Sequence, residues 1–163
     1  HYKNFSSMSW VYSCGAGANY GTALESALKM GETIHIPSCC YEIEEYIHGP
    51  NLQLTPQYNV IFFDGNDGAS RRVEQVYKAT RKVTNRAYLI SNNPQLSRDG
   101  HVLSLSDTVS SELSPLVYLP FVQLLSFIVS NDLHSIYQHP LLKEFKAIAA
   151  AKTENFVNYD GDD

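Results

Sequence analysis

Residues 23–50 carry the side chains best suited to chemistry, a glutamate near the end of one helical pattern and a histidine after the next. Glu32 is a carboxylate that can take a proton from one carbon and return it to its neighbour. His48 has a side chain that titrates near neutral pH, which suits a proton shuttle between two oxygens. Glu45 lies three residues before His48 and can orient the imidazole. The three residues together predict acid–base chemistry on a sugar-sized substrate.

Each of these residues also has a structural interpretation, which the sequence leaves open. Glu32 can be a solvated glutamate at a helix end, and His48 can hold a tight turn with the glycine and proline that follow it. Glu45 can be one of several surface glutamates in its segment.

The elements that position these residues are predicted from hydrophobic periodicity. Residues 21–31 predict a helix that buries Leu24, Ala27 and Leu28, which have i, i+3 and i+4 spacing. The neighbouring face carries three charged residues: Glu25, Lys29 and Glu32. Residues 33–36 predict a short strand ended by Pro37, in which His35 alternates with two isoleucines. Residues 41–47 predict a short helix before His48.

The rest of the chain alternates strands with helices. Strands are predicted at residues 9–14, 59–63, 87–90 and 102–105, and helices at 119–129 and 140–153. Ser70 is predicted to cap a helix whose core face consists of Val73, Val76, Tyr77, Thr80 and Val83. This order predicts an α/β fold, a three-layer αβα sandwich with a mostly parallel, flavodoxin-like or Rossmann-like sheet and C-terminal helices. Residues 1–155 are expected to form one domain, and residues 156–163 an acidic tail.

A ligand site in such a sheet is expected beyond the carboxyl ends of the strands. The loop there, CGAGAN, can present backbone N–H groups to an anion, so its candidate substrate-binding residues are Gly15, Ala16, Gly17 and Asn19. The loop lacks hydroxyl side chains, and its glycines can equally serve packing and turn formation.

Composition excludes several classes of protein. The formal net charge is −5 and the basic residues are scattered, which argues against a nucleic-acid surface. The three cysteines have no metal-ligand spacing, so buried structural thiols in a reducing cytoplasm are expected, with no metal and no cofactor. The longest apolar stretch, residues 116–129, is shorter than a membrane span, and the first residues lack the pattern of a signal peptide.

Three segments have the sequence pattern of a known family. ALESALKMGETIHIPSCCYEIEEYIHGP, residues 23–50, is similar without a gap to the second SIS (sugar isomerase) domain of phosphosugar isomerases. SPLVYLPFVQLL, residues 114–125, resembles a helix of the family, with its second proline displaced by one position. GNDGASRRVEQV, residues 65–76, is similar to the corresponding loop and helix of fructosamine-6-phosphate deglycases.

The resemblance implies roles for individual residues. Glu32 falls at the proton-transferring glutamate of the family, and His48 at a histidine that reaches the active site of a neighbouring subunit, which implies a homodimer or higher homo-oligomer. Lys152 matches a tail lysine of aminosugar-synthesising members, although this match covers two residues and an exposed lysine on a terminal helix is the alternative.

The chain also departs from the family pattern. The Ser/Thr-rich loop with which the family binds phosphate, of the type S-x-S-G-x-T, is absent from this sequence. The resemblance implies that this loop belongs to an N-terminal SIS domain and that the chain is the C-terminal half of a two-domain protein. Residues 37–40 lack the histidine and glutamate of synthase-like members. The resemblance implies an enzyme domain for proton transfer between C1 and C2 of a ketose or ketosamine 6-phosphate, either an aminosugar-phosphate isomerase or a fructosamine-6-phosphate deglycase. The competing interpretation is a non-catalytic domain for sugar-phosphate binding, regulation or dimerisation.

Overall fold

Five parallel strands form one sheet at the centre of the computed structural model, which describes residues 1–105, 109–135 and 148. The strands are β1 (Val11–Gly15), β2 (Ser38–Glu42), β3 (Asn59–Asp64), β4 (Ala87–Ser91) and β5 (Val102–Ser104). Their order across the sheet is β2-β1-β3-β4-β5, and every pairing is parallel. This is the flavodoxin-like order, in which the chain reverses its direction of winding between β1 and β3. The predicted α/β fold is confirmed.

Helices cover both faces of the sheet. They are α1 (Tyr2–Ser6), α2 (Ala18–Ile34), α3 (Ile43–Ile47), α4 (Ser70–Thr80) and α5 (Ser114–Asp132), and short 3₁₀ helices span Pro50–Gln53, Pro94–Leu96 and Ser111–Leu113. The core on one face includes residues of α1, α2 and α5, and the core on the other includes residues of α3 and α4. The molecule therefore has the three layers that the alternation of elements predicts.

The three inner strands consist of residues buried on both faces. In β3, Ile61 and Phe63 belong to the core beneath α2 and α5, while Val60 and Phe62 belong to the core beneath α3 and α4. Successive side chains of a strand point to opposite faces, so a continuous apolar run is what a sheet covered on both faces requires.

The predicted strand at residues 33–36 is wrong. α2 continues to Ile34, because Met30 and Ile34 both pack into the core. His35 ends the helix in the left-handed conformation, with φ of 62° and its N–H donating to the Gly31 carbonyl at 3.2 Å. The edge strand β2 begins only at Ser38, after Pro37, so His35 caps a helix and is not a strand residue.

The predicted core face of α2 is also wrong in part. Leu24 and Leu28 are 49% and 51% exposed. The buried face instead consists of smaller residues and one methionine: Asn19, Thr22, Ala23, Ser26, Ala27, Met30 and Ile34. Small side chains let α2 lie close to the sheet, and the Ser13 hydroxyl donates to Ser26 Oγ at 2.8 Å across that contact.

α4 follows its predicted pattern except at its two ends. Val73, Val76, Tyr77 and Thr80 are buried, and Lys78 lies 3.0 Å from Glu74 as the i, i+4 spacing predicts. Val83 lies beyond the helix and is 46% exposed. Ser70 is the first residue of the helix and does not cap it; its hydroxyl hydrogen-bonds to the Asp67 N–H and the Asp64 carboxylate.

α5 begins at Ser114, earlier than predicted. Pro115 lies in its first turn, where proline is tolerated, and Pro120 lies inside the helix. Together with the preceding 3₁₀ turn it forms a 22-residue segment, Ser111–Asp132, which is long and apolar enough to cross a membrane by length and composition alone. The helix is longer than the apolar stretch predicted from the sequence, but its length and composition are weak evidence for a membrane span, because the core helix of a soluble protein passes the same test. The helix predicted at residues 140–153 and the acidic tail lie outside the described residues.

Candidate functional site

Glu32 lies on the last turn of α2, beside an open groove. The groove has a volume of about 590 Å³ and is lined by residues of α2 and the edge strand β2: Leu24, Ala27, Leu28, Gly31, Glu32, Ser38 and Cys40. The Glu32 side chain is 43% exposed. Its Oε2 accepts a hydrogen bond from Lys29 Nζ at 2.9 Å. The Oε1 atom accepts no hydrogen bond from the described part of the chain, so it is available to a ligand in the groove.

Lys29 joins two carboxylates into one charged row. Its Nζ lies 2.9 Å from Glu32 Oε2 and 3.5 Å from Glu25 Oε1. The hydrogen bond to Glu32, with a further contribution from Glu25, raises the pKa of Lys29, so the ammonium stays charged at neutral pH. The negative end of the helix dipole disfavours a carboxylate in the last turn, and the ammonium offsets that effect. Helical spacing predicts these three charges on one face, but it assigns Lys29 no part in the site.

Exposed leucines form an apolar rim beside this carboxylate. Leu24 and Leu28, which were expected in the core, line the groove instead. A ligand or a second chain that covered the groove would bury the leucines and exclude water from Glu32. Exclusion of water strengthens every charged interaction inside a site.

His48 follows α3, on the other face of the sheet from α2. It is exposed, and its backbone N–H donates to the Glu45 carbonyl at 3.1 Å. α2 and α3 both flank the edge strand β2, but they pack against opposite faces of the sheet. No hydrogen bond or ion pair joins Glu32 to His48 among the described residues. The two predicted catalytic groups therefore do not meet within one chain.

Glu45 is engaged at the start of α3. Its Oε2 accepts from the Glu42 N–H at 3.3 Å, and Glu42 Oε2 accepts from the Glu44 N–H at 2.6 Å, which completes a capping box. The carboxylate electrostatically coupled to His48 is that of Glu44. A bidentate ion pair with Arg72, at 2.7 and 3.0 Å, is the main cause that lowers the pKa of Glu44, and His48 contributes less.

The glycine loop after β1 is closely packed. A Cβ at Gly15 would lie 2.3 Å from the carbonyl oxygen of Asn19, so only glycine fits there. Asn19 is fully buried; its Nδ2 donates to Ser114 Oγ at 2.8 Å and its Oδ1 accepts from Thr22 Oγ1 at 3.0 Å. Gly17, with φ of 54°, precedes α2 and is exposed. What this loop offers to a ligand is backbone, because Ala16 and the Asn19 side chain are buried.

A buried carboxylate ties together the carboxyl ends of β3 and β4. Asp64 accepts hydrogen bonds from Ser91 Oγ at 2.7 Å, from the Asn66 N–H at 3.0 Å and from the Ser70 hydroxyl. The Tyr118 hydroxyl donates to the Asp64 carbonyl at 2.7 Å. The polar loop that resembles the deglycase sequence is thus fixed largely by internal hydrogen bonds.

The thiols differ from the expected buried set. Cys14 is buried, which raises its pKa well above the usual value. Cys40 is half-buried, and its pKa is raised to about 11, mainly by burial and secondly by the negative charge of nearby Glu45. Cys39, however, is exposed, because its position on the edge strand leaves it uncovered. Within the described ranges there is no group of three metal-ligating side chains. Lys152 lies outside those ranges.

Comparisons with known proteins give a consistent result. Residues 5–115 match the model of the SIS domain family. The isomerizing glutamine–fructose-6-phosphate aminotransferase of Methanothermobacter thermautotrophicus is 30% identical over 131 residues, which is 78% of this chain and 22% of that protein. The enzyme of the same name from Xylella fastidiosa (strain Temecula1) is 28% identical over 125 residues, 76% of this chain and 20% of that protein.

Solved structures share the fold. The tagatose-6-phosphate ketose/aldose isomerase of Escherichia coli superimposes with a TM-score of 0.70 at 17% identity, over 81% of this chain and 39% of that chain. The C-terminal domain of glucosamine-fructose-6-phosphate aminotransferase from Francisella tularensis gives 0.67 at 24% identity, over 80% and 37%. The chain thus spans about a fifth of the length of the curated relatives it matches and about two-fifths of these solved chains.

Proposed function

Since the chain belongs to the SIS domain family, we propose that it is the catalytic half of a phosphosugar isomerase-type enzyme that transfers a proton between C1 and C2 of a ketose or ketosamine 6-phosphate. The family and the sugar-phosphate class of its relatives support the reaction type. The observation that carries the proposal is the carboxylate of Glu32, which lies in an open groove with one oxygen held by Lys29 and the other available.

Glu32 is the base in this proposal. Its Oε1 takes the C1 proton, the C–H electron pair forms the double bond of an enediolate, and the C2 carbonyl oxygen becomes a hydroxyl by accepting the proton of the C1 hydroxyl. The same carboxyl group then returns its proton to C2 while the C1 hydroxyl becomes the carbonyl. One carboxylate serves both steps because the two carbons are adjacent. Lys29 positions Glu32 and stays charged throughout.

We assign ring opening to His48 of a neighbouring subunit. His48 lies across the edge of the sheet from Glu32 in its own chain, so the pairing we propose is between chains. The exposed leucines at the groove give a second chain an apolar surface to cover. A homodimer is therefore part of the proposal, and so is a first SIS domain that supplies the phosphate-binding loop absent from this sequence.

The remaining predicted site residues take supporting roles. Gly17 and its neighbours Gly15 and Ala16 can offer backbone N–H groups to the substrate, and Asn19 holds this loop to α5. Lys152 stays a predicted catalytic residue that meets the carbonyl end of the sugar, and Glu45 stays a predicted substrate-binding residue. We place the enzyme in the cytoplasm, in keeping with three free cysteines.

The branch within the family, isomerase or deglycase, depends on which substrate exchanges its C1 proton. We would measure hydrogen–deuterium exchange at C1 of fructose 6-phosphate and of a fructosamine 6-phosphate by NMR in D₂O, using this chain together with a first SIS domain. Glu32→Gln is expected to slow exchange by more than about a hundredfold, the size typical of a general base. Glu74→Gln is the matched control, because Glu74 is also paired with a lysine on a helix but lies on the opposite layer.

The second candidate is a domain that binds a sugar phosphate without catalysis. The observation in its favour is that Glu32 and His48 do not meet within one chain. This candidate predicts that the wild type binds fructose 6-phosphate without hydrogen–deuterium exchange at C1. If exchange occurs but Glu32→Gln leaves its rate unchanged, the catalytic proposal is rejected as well.

A further inference from the structure

A depression lined by basic side chains lies at the end of α4, in the layer opposite Glu32. Its volume is about 420 Å³, and the residues that line it are Tyr77, Lys78, Arg81, Lys82 and Asp99. Arg81 and Lys82 directly follow α4, and Asp99 lies shortly before β5, so the depression is near the amino end of that edge strand. Four strand spacings, or roughly 19 Å, separate β5 from β2, beside which Glu32 lies. The depression is therefore distinct from the Glu32 groove.

Positive charge is concentrated in this part of the chain. The formal net charge of the chain is −5, yet five of its 12 basic residues lie within residues 78–98: Lys78, Arg81, Lys82, Arg86 and Arg98. Residues 75–98 contain no aspartate or glutamate. A surface with an excess of one sign of charge raises the local concentration of ions of the opposite sign. This end of the molecule therefore attracts anions although the whole chain is acidic.

Two of the cations in the depression have no carboxylate partner. Lys78 lies 3.0 Å from Glu74, whereas Arg81 and Lys82 form no ion pair with any described residue. Arg81 Nη1 donates to the neutral amide oxygen of Asn85 at 2.6 Å, which holds the guanidinium in place without neutralising it. Lys82 is exposed and Arg81 is partly exposed. A ligand in the depression can therefore reach both charged groups.

Asp99 contributes one fixed negative charge to the wall of the depression. Its Oδ2 accepts from the Tyr77 hydroxyl at 2.9 Å, and its Oδ1 accepts from the His101 N–H at 2.9 Å. Burial raises the pKa of Asp99, but these two hydrogen bonds and the nearby charge of Arg81 outweigh that effect, so the pKa lies below its usual value. The carboxylate stays charged at neutral pH and opposes the binding of an anion.

The helix dipole explains only part of this arrangement. Basic residues in the last turn of a helix stabilise its negative end, and Lys78 is the basic residue in the last turn of α4. Arg81 and Lys82 lie beyond the last residue of the helix, on the wall of a concave surface. Their role as dipole partners therefore does not account for two unpaired charges that converge there.

From these groups we infer that the depression binds the phosphate of a small phosphomonoester. The planar guanidinium of Arg81 matches the geometry of phosphate oxygens, and the ammonium of Lys82 supplies a second positive charge. A phosphomonoester carries close to two negative charges at neutral pH, so it matches these two cations better than a carboxylate does. The lining is polar and charged, which fits a small water-soluble ligand.

Glycerol 3-phosphate is a suitable probe, because it carries one phosphate on a small polar group. In ¹H–¹⁵N NMR titrations at pH 8 and constant ionic strength, it is expected to shift the amide signals of Lys78, Arg81 and Lys82. Arg81→Gln and Lys82→Gln should each weaken binding about tenfold, the effect of one charge-assisted hydrogen bond. Asp99→Asn removes the opposing charge and should tighten binding roughly threefold.

Arg71→Gln is the matched control, because Arg71 is an exposed arginine at the other end of α4. Its affinity for glycerol 3-phosphate should equal that of the wild type. Equal shifts with acetate would overturn the assignment, since a site for a dianion must distinguish the two. Unchanged affinity in both Arg81→Gln and Lys82→Gln would overturn it too. The site takes no part in the proposed proton transfer, so loss of C1 exchange in every preparation would refute that function and leave this binding site standing.

Discussion

Lys29 Nζ donates to Glu32 Oε2 at 2.9 Å from one helical turn earlier, and the same ammonium lies 3.5 Å from Glu25. The pairing leaves Glu32 oriented toward the groove between α2 and β2. A base that abstracts a proton from carbon must be held in one geometry, because a small displacement of the reacting oxygen lowers the rate steeply. Lys29 is therefore a positioning residue for the proposed reaction.

Replacement of Lys29 by glutamine is expected to slow C1 proton exchange about tenfold or more, which corresponds to the loss of one charge-assisted hydrogen bond. The reaction should suffer mainly in kcat, since Lys29 is bonded to Glu32 and not to the substrate in the proposal. The measurement is the NMR exchange rate at several substrate concentrations. Lys78→Gln removes a comparable i, i+4 pair from α4 and should leave the rate unchanged. Equal rates for Lys29→Gln and the wild type would show that Glu32 needs no such partner.

Two glycines near the start of α2 are expected to respond in opposite directions to alanine. At Gly15 a Cβ would lie 2.3 Å from a backbone oxygen, so Gly15→Ala should destabilise the fold by about 1–3 kcal/mol or more. At Gly21 a Cβ meets no atom within 4 Å, and the residue lies inside α2, so Gly21→Ala should stabilise by roughly 0.4–1 kcal/mol. Urea unfolding of the two variants tests both values. A destabilised Gly21→Ala would mean that this surface is covered in the protein.

The thiols should react with iodoacetamide in a fixed order. Cys39 is exposed and should be alkylated first, whereas Cys14 is buried and should react only on unfolding. Burial raises the pKa of Cys40 to about 11, so at pH 8 roughly one molecule in a thousand carries the thiolate there. The rate at Cys40 should therefore rise about tenfold per pH unit between pH 7 and 10, as measured by mass spectrometry of peptides.

Cys39→Ser provides the control, since it leaves Cys40 as the next thiol. Rapid alkylation of that variant at pH 7.5 would contradict the burial of Cys40 beside the Glu32 groove.

How far the sequence predicts this structure differs between elements. β3 and β4 were predicted nearly to the residue, because a continuous apolar run fits a strand covered on both faces. β2 was missed, since its residues SCCYE have no strong strand pattern and its position depends on pairing with β1. Thr33 and Ile34 favour strands by propensity, yet the burial of Ile34 extends the helix through them. Local propensity is here overruled by packing.

The candidate site shows the same division. The charged row of Glu25, Lys29 and Glu32 follows directly from helical spacing and was predicted. The groove beside this row could not be predicted, because the spacing of Leu24 and Leu28 fits a buried core face as well as an exposed rim. The choice between the two faces of α2 is made by its small residues, which pack on the sheet and α5. Only the assembled layers reveal that the leucines are left outside.

The separation of Glu32 and His48 on opposite layers leads to a complementation experiment. Glu32→Gln and His48→Ala should each be inactive alone, because the first removes the base and the second removes the ring-opening group. If His48 acts in the neighbouring subunit, a mixed dimer holds one site in which both residues are intact. Random exchange of subunits from equal amounts gives half mixed dimers, each with one of two sites active, so about a quarter of the wild-type rate should return.

The readout is turnover of cyclic fructose 6-phosphate after the two variants are mixed under conditions that allow subunit exchange. The control is the double variant Glu32→Gln/His48→Ala mixed with wild type. If each site is shared between two subunits, every site of such a mixed dimer contains one replaced residue, so neither of its sites is active. Half the mixed sites then lack Glu32 and the other half lack His48, so only unmixed wild-type dimers work. If activity returns in the first mixture, and the activity of the second mixture is no more than its wild-type dimers account for, then the imidazole acts across the interface. No recovery in the first mixture would put His48 in its own chain's site, whereas activity of His48→Ala alone would put His48 outside the chemistry.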